Sequence, residues 1–197
     1  MRKAYIIDAK RTPVGKARGL LSKTRADDLL VHAIQSVLKA SDSSEKINNS
    51  IDDIIVGCAM PEGPQGLNIA RIATLLAGLP DSTPAYTLNR FCSSGLQSVS
   101  NAADLIKSGS SDLVIAAGVE SMSSVPMTGF KPSMNPKILL DENISIAYGM
   151  GLTAEKVVQK YGISREAQDQ FAFESHQKAI KANNNGLFEN EIVPIET

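Results

Sequence analysis

A chain of 197 residues with a formal charge of −1 has room for one sizeable core and at most a second small unit. Its 20 Lys and Arg stand against 21 Asp and Glu and are scattered, which excludes a nucleic-acid footprint or a dedicated acidic partner. No apolar run approaches the roughly 20 residues needed to cross a bilayer, so no membrane partner is expected.

The charged start Met1-Arg2-Lys3 is followed by a short apolar stretch that Asp8, Lys10 and Arg11 interrupt, so a signal peptide is rejected and a cytoplasmic location expected. The two cysteines, Cys58 and Cys92, lack metal-ligand spacing; no metal and no disulfide are expected. In chain order, Ala4 to Ala9 reads as a strand, broken by Arg11-Thr12-Pro13-Val14-Gly15. A helical stripe of Leu29, Leu30, Ala33, Ile34, Val37 and Leu38 predicts a helix from Arg25 to Ala40, with Thr24 as N-cap and His32 on its polar side. Ser41 to Ser50 is polar and loop-like, and Ile51 to Gly57 reads as a second strand leading to a core cysteine, Cys58.

Pro61 to Gly66 is a loop, Leu67 to Ala77 a helix stopped by Gly78 and Pro80, and Pro84 to Leu88 a third strand. A helix is expected over Asn89 to Ser108 and a fourth strand over Asp112 to Ala117. Continuous apolar strands alternating with helices argue for a layered α/β fold around a parallel sheet. After Gly118 the character changes. Val119 to Asn143 is rich in Ser, Met, Pro and Gly, then two helices follow over Leu152 to Tyr161 and Arg165 to Asn184, with Gly162 and Gly186 as stops and Ser164 as a cap. Glu191 to Ile195 reads as another strand.

The stretch Asn89-Arg90-Phe91-Cys92-Ser93-Ser94-Gly95-Leu96-Gln97 carries the chemistry. A strand leads in and a helix leads out, so Cys92 is expected near a helix's first turn, where unpaired N–H groups and the dipole favour negative charge. A thiolate is the reactive form of cysteine, and the same N–H groups can hold an oxyanion on a thioester carbonyl. The competing reading is a small buried hydrophobe, as most free cysteines are. Cys92, Leu96, Val99, Ala103 and Ile106 form one stripe of the helix, and its many small residues suggest burial on most faces. A nucleophilic cysteine needs a base. His32 and His176 are the candidates, and both read as exposed helix residues.

Taken together, these segments resemble the N-terminal half of a thiolase. Arg11-Thr12-Pro13-Val14-Gly15, the Cys92 motif, Gly118-Val119-Glu120-Ser121-Met122-Ser123, Met150-Gly151-Leu152-Thr153-Ala154-Glu155, Ser164-Arg165-Glu166 with Gln168-Asp169, and Glu191-Ile192-Val193-Pro194 are similar to the family's blocks and stand in its order. The resemblance implies an α-β-α layered core half over residues 1–118, followed by part of a helical loop domain over 119–197, with the pseudo-dyad-related second half absent. It implies an acyltransferase in which Cys92 attacks the keto carbon of a 3-ketoacyl-CoA and carries the shortened acyl group to coenzyme A, a substrate and not a cofactor. The family's Asn-Glu-Ala-Phe, Gly-His-Pro and second-cysteine motifs are not found in this sequence, so the chain alone is expected to be inactive in turnover. A non-catalytic binding or assembly module of the same fold is the alternative, and a redox thiol protein a weaker one, since no resolving cysteine sits near Cys92. Gly149 stands where acetoacetyl-specific members often carry a histidine, just before Met150-Gly151, which suggests a general acyl-chain specificity; Met150 reads equally as a pocket residue or as an ordinary core methionine. Helix burial and the family both point to a homo-oligomer.

Overall fold

Ile54, Ile55 and Val56 are each 0 % exposed, as befits a strand covered on both faces. In the computed structural model, which describes residues 2–40 and 45–196, this stretch belongs to β1 (Asp53–Gly57), the middle strand of a three-stranded parallel sheet. β2 (Ala85–Leu88) lies on one side, with Ile54 opposite Ala85 and Gly57 opposite Leu88. β3 (Val114–Gly118) lies on the other, with Asp53 opposite Val114 and Gly57 opposite Gly118.

Among the described residues this unit holds four α-helices: α1 (Ala26–Ala40), the single turn α2 (Glu45–Asn48), α3 (Ile69–Leu76) and α4 (Ser94–Ser108). The crossover through α3 and the crossover through α4 step in opposite directions along the sheet. Right-handed connection therefore puts the two helices on opposite faces. On the α3 face, Ile54 and Val56 join Leu30 and Ile34 of α1 and Ile69, Ala70 and Ala73 of α3 in one buried cluster. Each large member contributes about 1.5–3 kcal/mol by leaving water. Asn68 ties this layer to the sheet. Its Oδ1 accepts the Arg71 N–H at 3.3 Å and the Thr87 hydroxyl at 2.9 Å, while its Nδ2 donates to the Ala85 carbonyl at 2.9 Å.

Two compact units are present, Met1–Lys131 with Glu191–Thr197, and Pro132–Asn190. The division falls at Lys131, whereas the change of sequence character falls after Gly118. The second unit holds 3-10 turns at Pro136–Leu139 and Ile144–Ala147, then α5 (Met150–Tyr161) and α6 (Arg165–Asn184). Gly162 ends α5 in the left-handed region at φ 63°, and the Ser164 hydroxyl caps α6 by accepting the Ala167 N–H at 3.2 Å.

Several sequence expectations change. Ala4 to Ala9 forms no strand, and Tyr5, Ile6 and Ile7 are exposed. Its alternation is strand-like, but no ladder partner faces it among the described residues. Glu191 to Ile195 likewise makes only one parallel bridge, Ile192 with Arg11. There Arg11 N donates to the Glu191 carbonyl at 2.8 Å, Val193 N donates to the Arg11 carbonyl at 2.9 Å, and Arg11 Nε meets Glu191 Oε1 at 2.8 Å. Thr24 closes a preceding 3-10 turn, Leu20–Lys23, and α1 begins only at Ala26. The polar loop over Ser41 to Ser50 contains α2, and its residues 41–44 lie outside the described residues.

Candidate nucleophile site

All three strands point their carboxyl ends the same way, and open parallel sheets bind ligands at that edge. β2 ends at Leu88, and the turn Asn89 to Ser93 carries the chain over this edge into α4. Cys92 lies in that turn and is exposed. It stands two places ahead of Ser94, the first helical residue, beside the first turn of α4 although not within the helix, which was expected to begin at Asn89.

The turn is tightly fastened. The buried Ser94 hydroxyl accepts the Arg90 N–H at 2.8 Å and donates to the Phe91 carbonyl at 2.6 Å. Ser93 occupies the N-cap position without capping; its hydroxyl donates back to the Arg90 carbonyl at 2.9 Å. The Ser94 N–H is taken by the Phe91 carbonyl at 3.0 Å, while the next amides of the first turn of α4 get no side-chain cap from Ser93. A Cβ built on Gly95 would meet nothing within 4 Å, so the helix start is open on that side. An open helix N-terminus beside an exposed thiol can hold the negative charge that grows on a carbonyl oxygen during acyl transfer.

The sheet brings α4 to this place through two glycines. A Cβ on Gly57 would come within 2.3 Å of the Ser94 carbonyl carbon, and one on Gly118 within 3.3 Å of the Gly95 Cα. This contact decides which face of α4 is buried. Ser94, Ser98 and Ala102 lie against the sheet, with the Ser98 hydroxyl donating to the Ala117 carbonyl at 2.8 Å. Burial on most faces, which the small residues suggested, is not reached: within the apolar stripe Leu96 is 75 % and Val99 40 % exposed, while Ala103 and Ile106 are half-buried. Backbones this close leave no room for Leu or Val between them.

Cys58 gives the contrast. It is 1 % exposed, and burial together with the Glu120 charge pushes its thiol up to about 11. It is the inert core thiol that its place after β1 predicts. Among the described residues no hydrogen bond joins His32 to Cys92. His32 Nε2 is 2.8 Å from the Pro194 carbonyl, and His176 is exposed on α6, in the second unit. Gly149 and Met150 also belong to that unit, where Gly149 is the N-cap of α5 and Met150 its exposed first residue. A cavity of about 390 Å³ opens between α1 and the edge of β3, lined by residues including Leu30, Ile34, Val99 and Ile115; Cys92 does not line it. Among the described residues no cluster of three or more His, Cys, Asp or Glu is placed to hold a metal ion. No described helix is long and apolar enough to cross a membrane.

Sequence reasoning named Ser94 within the Cys92 motif without a role of its own, and it missed the part that the paired glycines Gly57 and Gly118 play in seating α4. The glycines had a readable signal, since each closes an apolar strand, a position that often marks close approach of another backbone.

A family model described as thiolase, N-terminal domain, matches residues 4–197. The chain is 50 % identical over 198 residues to a 3-ketoacyl-CoA thiolase of Bacillus subtilis (strain 168), with 100 % of this chain and 49 % of that protein covered. It is 44 % identical to a 3-ketoacyl-CoA thiolase of Enterobacter sp. (strain 638), covering 98 % of this chain and 49 % of the relative. It is 43 % identical to one of Aliivibrio salmonicida (strain LFI1238), covering 99 % and 50 %. The chain thus spans about half the length of the curated relatives it matches.

Proposed function

The chain belongs to the thiolase family, and from that premise we propose that it supplies the acyl-accepting half of a 3-ketoacyl-CoA thiolase, with Cys92 as the nucleophile. The exposed placement of Cys92 at the open start of α4 is the observation that supports this most.

The Cys92 thiolate attacks the keto carbon of a 3-ketoacyl-CoA, and the carbonyl oxygen takes the negative charge near the α4 amides. As the carbonyl re-forms, the C–C bond breaks and its electron pair leaves on acetyl-CoA, which takes up a proton. The acyl group stays on sulfur as a thioester until the thiolate of coenzyme A attacks it and restores Cys92. The reverse course condenses two acyl-CoA molecules. Proton transfer in both directions calls for a base, and neither His32 nor His176 matches the catalytic histidine that the family resemblance implies. The chain alone is therefore expected to acylate without sustained turnover.

Gly149 and Met150 are proposed to leave room for acyl chains longer than acetoacetyl. The outward apolar stripe of α4 favours association between copies, and a cytoplasmic setting fits a thiol that must stay reduced. The test is release of free coenzyme A from acetyl-CoA. The folded chain should release no more than about one equivalent, the mark of an acyl-enzyme that does not turn over, and Cys92→Ala should release none. Equal release from the variant would remove Cys92 from the mechanism, and acylation-free protein would favour a non-catalytic module of the same fold.

A further inference from the structure

Phe91, directly before Cys92, has φ 49°, a left-handed conformation that a bulky side chain adopts only when its surroundings hold it there. The holding groups form a chain that starts well away from the nucleophile. Gln65 is 0 % exposed, and its carboxamide is held on both sides: its Nε2 donates to the Met60 carbonyl at 2.8 Å, to Glu120 Oε1 at 2.7 Å and to Cys58 Sγ at 3.7 Å, and its Oε1 accepts the Ser121 N–H. The other Glu120 oxygen, Oε2, accepts the Ala59 N–H at 2.6 Å. Ala59 is thus fixed from its amide side. Its carbonyl accepts Asn89 Nδ2 at 2.8 Å, and Asn89 Oδ1 accepts the Phe91 N–H at 2.8 Å.

Resting on the acyl-transfer reading above, we infer that Asn89 is a positioning residue for Cys92: its carboxamide clamps the left-handed Phe91 peptide to Ala59, which Gln65 and Glu120 anchor to the ends of β1 and β3. Both ends of the carboxamide are used, one as donor and one as acceptor, so no other side chain of this length does both. Asp keeps the acceptor for Phe91 N–H but sets a carboxylate against the Ala59 carbonyl. Ala keeps neither bond.

Such a clamp affects two reactions of the same sulfur differently. Alkylation by iodoacetamide needs only an accessible thiolate. Acyl transfer also needs the carbonyl oxygen to sit against the α4 amides while the S–C bond forms, and a misplacement near 1 Å there costs up to about a hundredfold.

The experiment compares the full chain with its Asn89→Ala and Asn89→Asp variants. Acylation is measured with p-nitrophenyl acetate, in which the S–C bond forms, the aryl ester C–O bond breaks and p-nitrophenolate carries off the electron pair. The Cys92 peptide is quantified by mass spectrometry, iodoacetamide alkylation is followed in parallel, and thermal unfolding checks the fold. Acylation should fall about tenfold or more in both variants, with alkylation within about twofold and cooperative unfolding retained. Equal acylation in all three proteins would overturn the clamp and leave the acyl-transfer reading standing. A parallel fall in both reactions would show that Asn89 only holds the fold, again overturning it. Wild-type Cys92 that takes no acyl group from the ester while alkylating normally would overturn the acyl-transfer reading, and the clamp with it.

Discussion

Gly57 lies directly against Ser94: a Cβ on the first would stand 2.3 Å from the carbonyl carbon of the second. The end of the central strand and the start of α4 are in backbone contact, and that contact seats the turn that carries Cys92. Gly57→Ala is expected to lose about 1–3 kcal/mol through overpacking against a backbone that cannot rotate aside. Gly118→Ala, whose Cβ would stand at 3.3 Å from the Gly95 Cα, should lose less. Urea midpoints measure both, and an unchanged Gly57→Ala would contradict the contact.

The two cysteines should separate cleanly by reactivity. Peptide mapping after iodoacetamide at pH 8 should find Cys92 modified in the folded protein and Cys58 modified only after denaturation. The pH dependence has a definite sign. Burial and Glu120 hold the folded Cys58 thiol at about 11, above its ordinary 9.0, so the unfolded chain loses that proton first. Stability should therefore fall as pH rises from about 9 toward about 11 and level off beyond. Cys58→Ala should flatten that limb; an unaltered slope would show that another group is responsible.

At the acid end Asp52 acts in the opposite direction. Its Oδ2 accepts the Asp112 N–H at 2.7 Å and the Leu113 N–H at 3.0 Å, and these bonds hold its carboxyl below the ordinary value. Its contribution is present above the unfolded pKa of about 4 and is lost as pH falls through the lower folded value. Asp27, paired with Arg25 at 2.7 Å, follows the same course, while burial raises Asp53 and sets it against them. Asp52→Ala should weaken the acid dependence of the unfolding midpoint below pH 4, and an identical profile would exclude the role.

The outward stripe of α4, with Leu96 and Val99 exposed and Phe91 exposed in the turn before it, should drive association. Sedimentation of the chain should give dimers or larger species, and Leu96→Glu should shift them toward monomer. A stable wild-type monomer would count against the proposal.

Much of this was readable in the residues. The apolar runs at Ile54 and Val114 locate parallel strands, and the strand-to-helix passage through the Cys92 motif locates α4, because those signals are local. Whether Ala4 to Ala9 becomes a strand depends on a partner, which alternation cannot reveal. Which face of α4 is covered depends on a partner too: its small residues suggest burial on most faces, but the sheet, in close approach at Gly57 and Gly118, covers Ser94, Ser98 and Ala102 and leaves Leu96 and Val99 exposed. Gln65 and Glu120 are 55 residues apart in the chain and join only through tertiary structure, so no sequence window holds them.

The most direct measurement is peptide mapping of the folded chain after exposure to acetyl-CoA. An acetyl group on the peptide containing Cys92, absent from Cys92→Ala and removed when free coenzyme A is added, is the expected result. Acetylation that spares Cys92, or an adduct that coenzyme A cannot take back, would contradict its role as a carrier of transferable acyl groups.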